Sequence, residues 1–371
     1  MITRTFAILV ALALRTLSQS TRPHHSLVPR AAGGSRHPVR PRASRNLSIP
    51  LTLTGILILA LFALPHPAQA QQARVYRVGV VFLGGPHSAS IDGLRDGLRE
   101  LGLEESKQLI LHVRDGRGDL KAVEAAARSL EAEKVDLIVA ITTSVTLAAK
   151  RATKNVPIVF YAGTDPVSTG LVESFRKPGG RLTGIHGQST GLAAKRLELL
   201  KEMVPRLRRV VTFYRPDSPA AQESVKIARE AARRLKLELV ERPVASVEEL
   251  RAGLRALQPG EADALLYVAD VMVASQMELI LESARAKRLP TMVQERGSVA
   301  KGALAAYGES FYTIGRHSAK YVQRVLLGAD PAGLPVEQVD RLYFVINLKT
   351  AKALGLTIPR SVLARADEVM E

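Results

Sequence analysis

Short, continuously apolar runs recur along this chain, each followed by a stretch with apolar residues at helical spacing, and the whole order appears twice. The first runs are Tyr76–Phe82, then 109–113, Leu137–Ile141 and Ile158–Ala162. Between them lie 88–103, with Ile91, Leu94, Leu98 and Leu101 on one helical face, then 123–130 and 144–153. The strands do not alternate apolar with polar, so they are predicted to be buried on both faces in a parallel sheet covered by helices. The pattern returns as strands at 209–214, 237–241, 264–268 and 291–294, with helices at 220–235, 247–257 and 271–286. The expected fold class is α/β, built as two Rossmann-like doubly wound lobes. Gly179-Gly180-Arg181 and 184–187 read as the linker between them. A helix at 312–327, a loop at 331–335 and a strand at 342–346 follow, so the chain is expected to pass between the lobes more than once. The expected division is 76–187 plus 311–338 for the N-terminal lobe and 188–305 plus 342–371 for the other.

The N-terminal segment has a different character. Arg36, Arg40, Arg42 and Arg45 precede the apolar run 47–64, which ends in Pro65-His66-Pro67-Ala68-Gln69-Ala70. A basic flank, a short apolar core and a small-x-small end make a secretory signal peptide, with cleavage before Gln71. The alternative is a membrane anchor, since the run reaches the lower limit for spanning a bilayer. Pro50 and the terminal prolines weigh against it. Residues 1–45 carry eight arginines and no acid, which suggests either a long leader or a start codon assigned too far upstream, the latter preferred. Residues 1–70 are therefore read as leader and signal peptide. Those arginines account for eight of the seventeen net positive charges, leaving +9 on the mature chain. Cysteine is absent, which excludes disulfides, thiolate catalysis, Cys-ligated metals and a lipid-modified cysteine at the cleavage point. The mature protein is thus expected free in the periplasm, not membrane-anchored, and monomeric. Basic residues are spread over helices and Trp is absent, so no nucleic-acid footprint forms.

In open α/β sheets, ligands sit at the carboxyl ends of strands. That rule selects 84–90 with Ser88 and Ser90, then Thr142-Thr143-Ser144, and Gly163-Thr164-Asp165 in the first lobe. In the second lobe it selects Tyr214 through Asp217 and Ser218, then Asp270, and Glu295-Arg296. Hydroxyls at helix starts suit a carboxylate or other small anion, because the first backbone N–H groups are unpaired and the helix dipole is positive there. The competing reading is that Ser88, Ser144 and Ser218 only cap helices. Asp165 or Asp270 could hold a ligand ammonium, although Asp165 before Pro166 is equally a turn residue. Tyr214, Tyr307 and Phe311 could stack on a planar ligand or simply pack in the core. No H-E-x-x-H, G-x-S-x-G or P-loop occurs, and His87, His112, His186 and His317 are far apart, so no catalytic constellation, resident metal or cofactor is expected.

The C-terminal third carries longer motifs. Tyr307-Gly308, Phe311-Tyr312, Gly315-Arg316 and Leu334-Pro335-Val336-Glu337-Gln338 precede Phe344-Val345-Ile346-Asn347-Leu348-Lys349-Thr350-Ala351-Lys352, then Leu354-Gly355-Leu356 and Ile358-Pro359. Together with Asp165-Pro166 and Pro178-Gly179-Gly180, they resemble the ABC transporter substrate-binding proteins of the TrpX-like, tryptophan/tyrosine-uptake family, over essentially 76–371. The resemblance implies a type I periplasmic-binding fold with three crossover segments and a hinged cleft. It implies capture of a small-molecule ligand, such as an amino acid or small carboxylate, and delivery to an ABC permease and its ATPase. Mapped onto this chain, it points to Thr143, Ser144, Thr164, Asp165, Asp217 and Ser218 as cleft positions. Arg181, Arg215 and Glu309 depart from the pattern and leave the ligand open. A binding subunit of a sensor, or a periplasmic enzyme on a small polar substrate, are the alternative readings. Mass spectrometry of the exported protein tests the leader: the mature chain should begin at Gln71, and retention of the run 47–64 would contradict cleavage.

Overall fold

The computed structural model describes residues 74–371; the leader, the apolar run and the cleavage triplet lie outside the described residues. The first lobe opens with β1 (Tyr76–Phe82), a 3-10 turn (Gly85–Ser88) and α1 (Ala89–Glu100). It continues through β2 (Leu109–Asp115), α2 (Leu120–Ala132), β3 (Leu137–Ile141), α3 (Thr143–Ala152), β4 (Ile158–Ala162) and β5 (Leu182–His186). The second lobe has α4 (Ala193–Met203), β6 (Arg209–Tyr214), α5 (Pro219–Arg234), β7 (Glu238–Pro243) and α6 (Val247–Ala256). Then come β8 (Ala264–Leu266), α7 (Val271–Ser275), α8 (Met277–Ala286), β9 (Thr291–Val293), α9 (Arg296–Ala300) and β10 (Ala305–Gly308). The chain returns to the first lobe with α10 (Phe311–Leu326) and β11 (Glu337–Gln338). It ends in the second with β12 (Tyr343–Asn347), α11 (Leu348–Ala353), α12 (Arg360–Leu363) and β13 (Glu368–Met370).

The first sheet runs β11-β5-β4-β3-β1-β2 and every pairing in it is parallel. The second runs β13-β12-β10-β9-β8-β6-β7. It is parallel except where β12 meets β10 antiparallel, so it is a mixed sheet rather than the purely parallel one the apolar runs suggest. The strands β3, β4 and β5 are buried along their whole length, as expected of strands covered on both faces. Three segments join the lobes: residues 187–192, the pair Glu309 and Ser310, and residues 339–342.

Several elements differ from expectation for identifiable reasons. The glycines read as a linker belong in part to β5, a fully buried strand. A Cβ at Gly184 would overlap the carbonyl oxygen of Phe160 in β4, so this glycine serves close strand approach rather than a flexible joint. The helix expected over 271–286 is broken at Gln276 into α7 and α8. The helix expected from Ser88 begins as a 3-10 turn, with Pro86 among its first residues. Sequence periodicity did not reveal α4, α9 or β10, the last because Ala305–Gly308 is short and poor in β-branched residues.

The return of α10 to the first lobe depends on small residues. It buries Phe311, Ile314, Gly315, Ser318, Ala319 and Val322 at helical spacing, against the face of α1 that carries Ser90, Gly93, Leu94 and Gly97. A Cβ at Gly93 would overlap the Tyr312 carbonyl, and one at Gly315 would overlap the Ser90 carbonyl. The helices therefore touch through backbone, and neither can yield without separating. Gly93→Ala and Gly315→Ala should each cost about 1–3 kcal/mol through overpacking. Urea denaturation measures this; a loss below about 0.5 kcal/mol at both positions would contradict backbone contact.

Candidate functional site

The carboxyl ends of β3 and β4 in the first lobe face those of β8 and β9 in the second across a small cavity. The lobes meet beside it. A Cβ on Gly85, in the turn after β1, would overlap the Ala274 carbonyl of α7, and Gly85 itself has φ 63°. Only glycine fits both the left-handed backbone and the contact. This is a closed arrangement, with the cavity between the lobes.

One end of the cavity is the start of α3. Thr142 occupies its N-cap position with φ 95° and ψ 157°, a region that is nearly glycine-only and costs a β-branched residue about 1–3 kcal/mol. Its side chain makes no capping bond. Thr142 Oγ1 is buried and meets no hydrogen-bond partner among the described residues. The backbone N–H groups of the first turn have no partner within the helix. Thr143 Oγ1 lies 2.8 Å from Thr164 Oγ1, at the end of β4. This end is therefore rich in donors, carries the positive pole of a helix, and contains a strained residue with an unused hydroxyl.

A second part of the lining rests on a buried polar knot. Glu309, in the second crossing, is 1% exposed. Its Oε1 accepts the Gln188 N–H at 2.6 Å, and its Oε2 accepts the hydroxyls of Ser189 at 2.9 Å and Tyr161 at 3.2 Å. Tyr161 Oη and Ser189 Oγ are 3.0 Å apart. Gln294, just after β9, donates its amide to Ser189 Oγ at 3.0 Å. Burial and the neighbouring Glu309 push the Tyr161 phenol well above its ordinary pKa, so it keeps its proton. Behind the knot, the fully buried Arg196 of α4 donates to the carbonyls of Tyr307 (2.7 Å) and Ser189 (3.3 Å).

His87 completes this wall, with its ring 4.7 Å from that of Phe311. Its Nδ1 lies 3.1 Å from the Gly84 carbonyl, which can only accept, so Nδ1 carries the proton and Nε2 is an acceptor. Burial lowers its pKa to about 4. Tyr267 lines the second-lobe side, and burial raises its phenol pKa. No Asp, Glu, Lys or Arg lines the cavity among the described residues.

Of the residues expected at the site, the cavity brings together Thr143, Ser144 and Thr164, with Phe311. The rest stand elsewhere. Ser88 Oγ donates to the Gly85 carbonyl and faces a wider groove that also holds Asp115 and Glu295. Ser90 is buried between α1 and α10. Ser218 caps α5, whereas Ser144 is not a cap, since Thr142 holds that position. Asp165 is exposed and accepts the Val167 and Ser168 N–H groups, as a turn residue does. Asp217 pairs with Arg215 on the surface. Asp270 is spent on the N–H groups of Val273 and Arg215. Tyr214 donates to Glu241, and the Tyr307 ring packs on Phe344. Sequence reasoning missed Tyr161, which sits inside an apolar strand, and Ser189, which sits just beyond the glycines read as a linker and at no strand end that the rule selected. Thr142, His87 and Gln294 lie within or beside selected strand ends, and position alone could have flagged them.

Residues 78–370 match the family model described as ABC transporter substrate binding protein. A tyrosine-binding protein of Clostridioides difficile (strain R20291) is 29% identical over 264 residues, covering 71% of this chain and 76% of the relative. A crystal structure of an ABC domain from Streptococcus pneumonia in complex with L-Trp is 28% identical, with a TM-score of 0.71, and covers 80% of this chain and 100% of that one. The ligand-free, open structure of CD0873, a substrate binding protein with adhesive properties from Clostridium difficile, is 26% identical, with a TM-score of 0.54, and covers 80% of this chain and 99% of that one. The architecture is the type I periplasmic-binding fold, and its lobes stand nearer the arrangement of the L-Trp complex than that of the open structure.

The neutral, buried His87 has a consequence for acid stability. The folded side chain binds a proton near pH 4 and the unfolded one near 6.5. Between those values the unfolded state holds more protons, so stability falls as pH is lowered through this window, by up to about 3 kcal/mol. Denaturation at pH 7 and pH 4.5 should show a smaller acid loss in His87→Gln than in the parent; equal losses would contradict a neutral buried His87.

Proposed function

Because this chain belongs to the ABC transporter substrate binding protein family, we propose that it is exported, captures an amino acid between its lobes as a monomer, and hands it to the membrane permease of an ABC importer. The observation that carries this reading is the cavity between the lobes, part of whose lining is the strained, donor-rich start of α3. A ligand carboxylate fits there, against the unpaired N–H groups of the first helical turn, the unused Thr142 hydroxyl and the Thr143–Thr164 pair. Thr142 supplies the second reason to look for a ligand beyond the helix end itself, because a buried hydroxyl without a partner costs about 1–3 kcal/mol that a bound carboxylate recovers. The Phe311 ring and the Tyr267 phenol give the middle of the cavity flat apolar surface suited to an aromatic side chain. The two relatives, a tyrosine-binding protein and an L-Trp complex, support the same class.

Closure is the signal. A ligand touching both lobes favours the closed state by its difference in affinity for the two, and only that difference can be read by a permease. The crossings would act as the hinge, with Gly85 settling against Ala274 when the lobes shut.

Thermal denaturation of the exported protein with the common amino acids tests the proposal. L-tyrosine or L-tryptophan at about a hundred times Kd should stabilise it by about 2.7 kcal/mol. No shift with any amino acid or small organic acid would contradict it. Thr142→Ala should weaken binding about tenfold while leaving the ligand-free stability within about 1 kcal/mol, since the lost hydroxyl has no partner to abandon. Unchanged affinity would remove the carboxylate from this end.

A further inference from the structure

The knot behind the second wall fixes which way its hydroxyl protons point. A carboxylate only accepts, and Glu309 takes the Ser189 proton at 2.9 Å. The single Tyr161 proton goes to Glu309 at 3.2 Å or to Ser189 Oγ at 3.0 Å. In either case it is spent inside the knot. No hydroxyl proton remains for the cavity. Ser189 Oγ accepts the Gln294 amide at 3.0 Å and lies 3.0 Å from Tyr161 Oη, so its own lone pairs are taken up within the knot and Tyr161 Oη is the hydroxyl oxygen with a lone pair left for the cavity. His87 Nε2 is a second acceptor on the same wall, because Nδ1 is committed to the Gly84 carbonyl. Phe311 lies between these groups, 4.7 Å from the His87 ring and 6.1 Å from the Tyr161 ring. Its π face adds attraction for a cation. The buried Arg196 offsets the Glu309 charge from behind the Ser189 backbone, so the wall acts through aligned dipoles more than through a bare charge.

We infer that Tyr161 and His87 form the seat of the ligand's ammonium group, and that Glu309 is the positioning residue that, with Ser189, turns the hydroxyl protons away from it. The donors at α3 and the acceptors at the knot are neighbours: Gly163, next to Thr164, lies against the Ser189 and Tyr161 hydroxyls, and no formal charge lines the cavity. Adjacent donors and acceptors match the carboxylate and ammonium that an α-amino acid carries on one carbon, and the inference rests on the amino-acid reading above while adding what the wall does. A plain carboxylic acid would leave two acceptors facing it without a donor, and buried acceptors left unmatched are costly.

Calorimetric titration of the parent protein, Glu309→Gln and Tyr161→Phe with four ligands tests this. The ligands are L-tyrosine, L-tryptophan and their deaminated analogues, 3-(4-hydroxyphenyl)propionate and indole-3-propionate. The parent should bind the better amino acid roughly a hundredfold more tightly than its analogue, the scale of a hydrogen bond to a charged group. In Glu309→Gln the side-chain amide must itself donate, so a hydroxyl proton turns to the cavity and that ratio should shrink by about tenfold or more. Tyr161→Phe removes one acceptor without touching Glu309 and should shrink the ratio in the same direction, which keeps the test open if Glu309→Gln does not fold. Equal affinity of the parent for amine and analogue would overturn the ammonium seat while leaving carboxylate capture intact. Variants that weaken amine and analogue by the same factor would overturn it too, since a structural role alone does that. Binding of neither class would bring down the amino-acid reading and the seat together.

Discussion

A buried carboxylate cannot stand alone, and Glu309 draws its partners from both lobes and from the first crossing. Gln188 and Ser189 come from the first crossing, Tyr161 from β4 of the first lobe, and Gln294 from the end of a second-lobe strand. Glu309 itself sits in the second crossing. Leaving such a charge without donors would cost several kcal/mol, so the four partners are held wherever Glu309 is held. The two crossings are thereby tied side by side, and the cleft inherits a fixed floor about which the lobes turn.

The remaining site features follow from that floor. With the knot fixed, the start of α3 lines the same cavity, and the backbone of the Gly85 turn meets α7 beside it. Strain sits at Thr142, whose buried hydroxyl has no protein partner among the described residues. Acceptors and a strained donor site in one cavity suit the adjacent charges of the α-amino acid proposed above.

The doubly wound architecture was legible because strands covered on both faces are apolar at every position, as Leu137–Ile141 and Ile158–Ala162 are. Glycine was the misleading residue: Gly184 reads as a break, yet it lies in a buried strand against the Phe160 carbonyl. The strand-end rule selected Thr143, Ser144 and Thr164, which line the candidate cavity, since their position depends on backbone topology alone. The same rule also selected Asp165, Asp217 and Asp270, whose carboxylates are consumed by nearby N–H groups or by Arg215. Short polar side chains bond their own backbone first, and nothing in the pattern distinguishes a cap from a ligand contact. Tyr161 and Ser189 escaped because their role arises from Glu309, more than a hundred residues away along the chain.

The orientation of two hydroxyl groups is the physical statement on which this account turns. Neutron diffraction from deuterated crystals locates those hydrogens directly. The deuteron on Ser189 Oγ should point at Glu309, and that on Tyr161 Oη at Glu309 or Ser189, with none directed into the cleft. A deuteron from either oxygen facing the cleft, or one found on the Glu309 carboxyl, would contradict it.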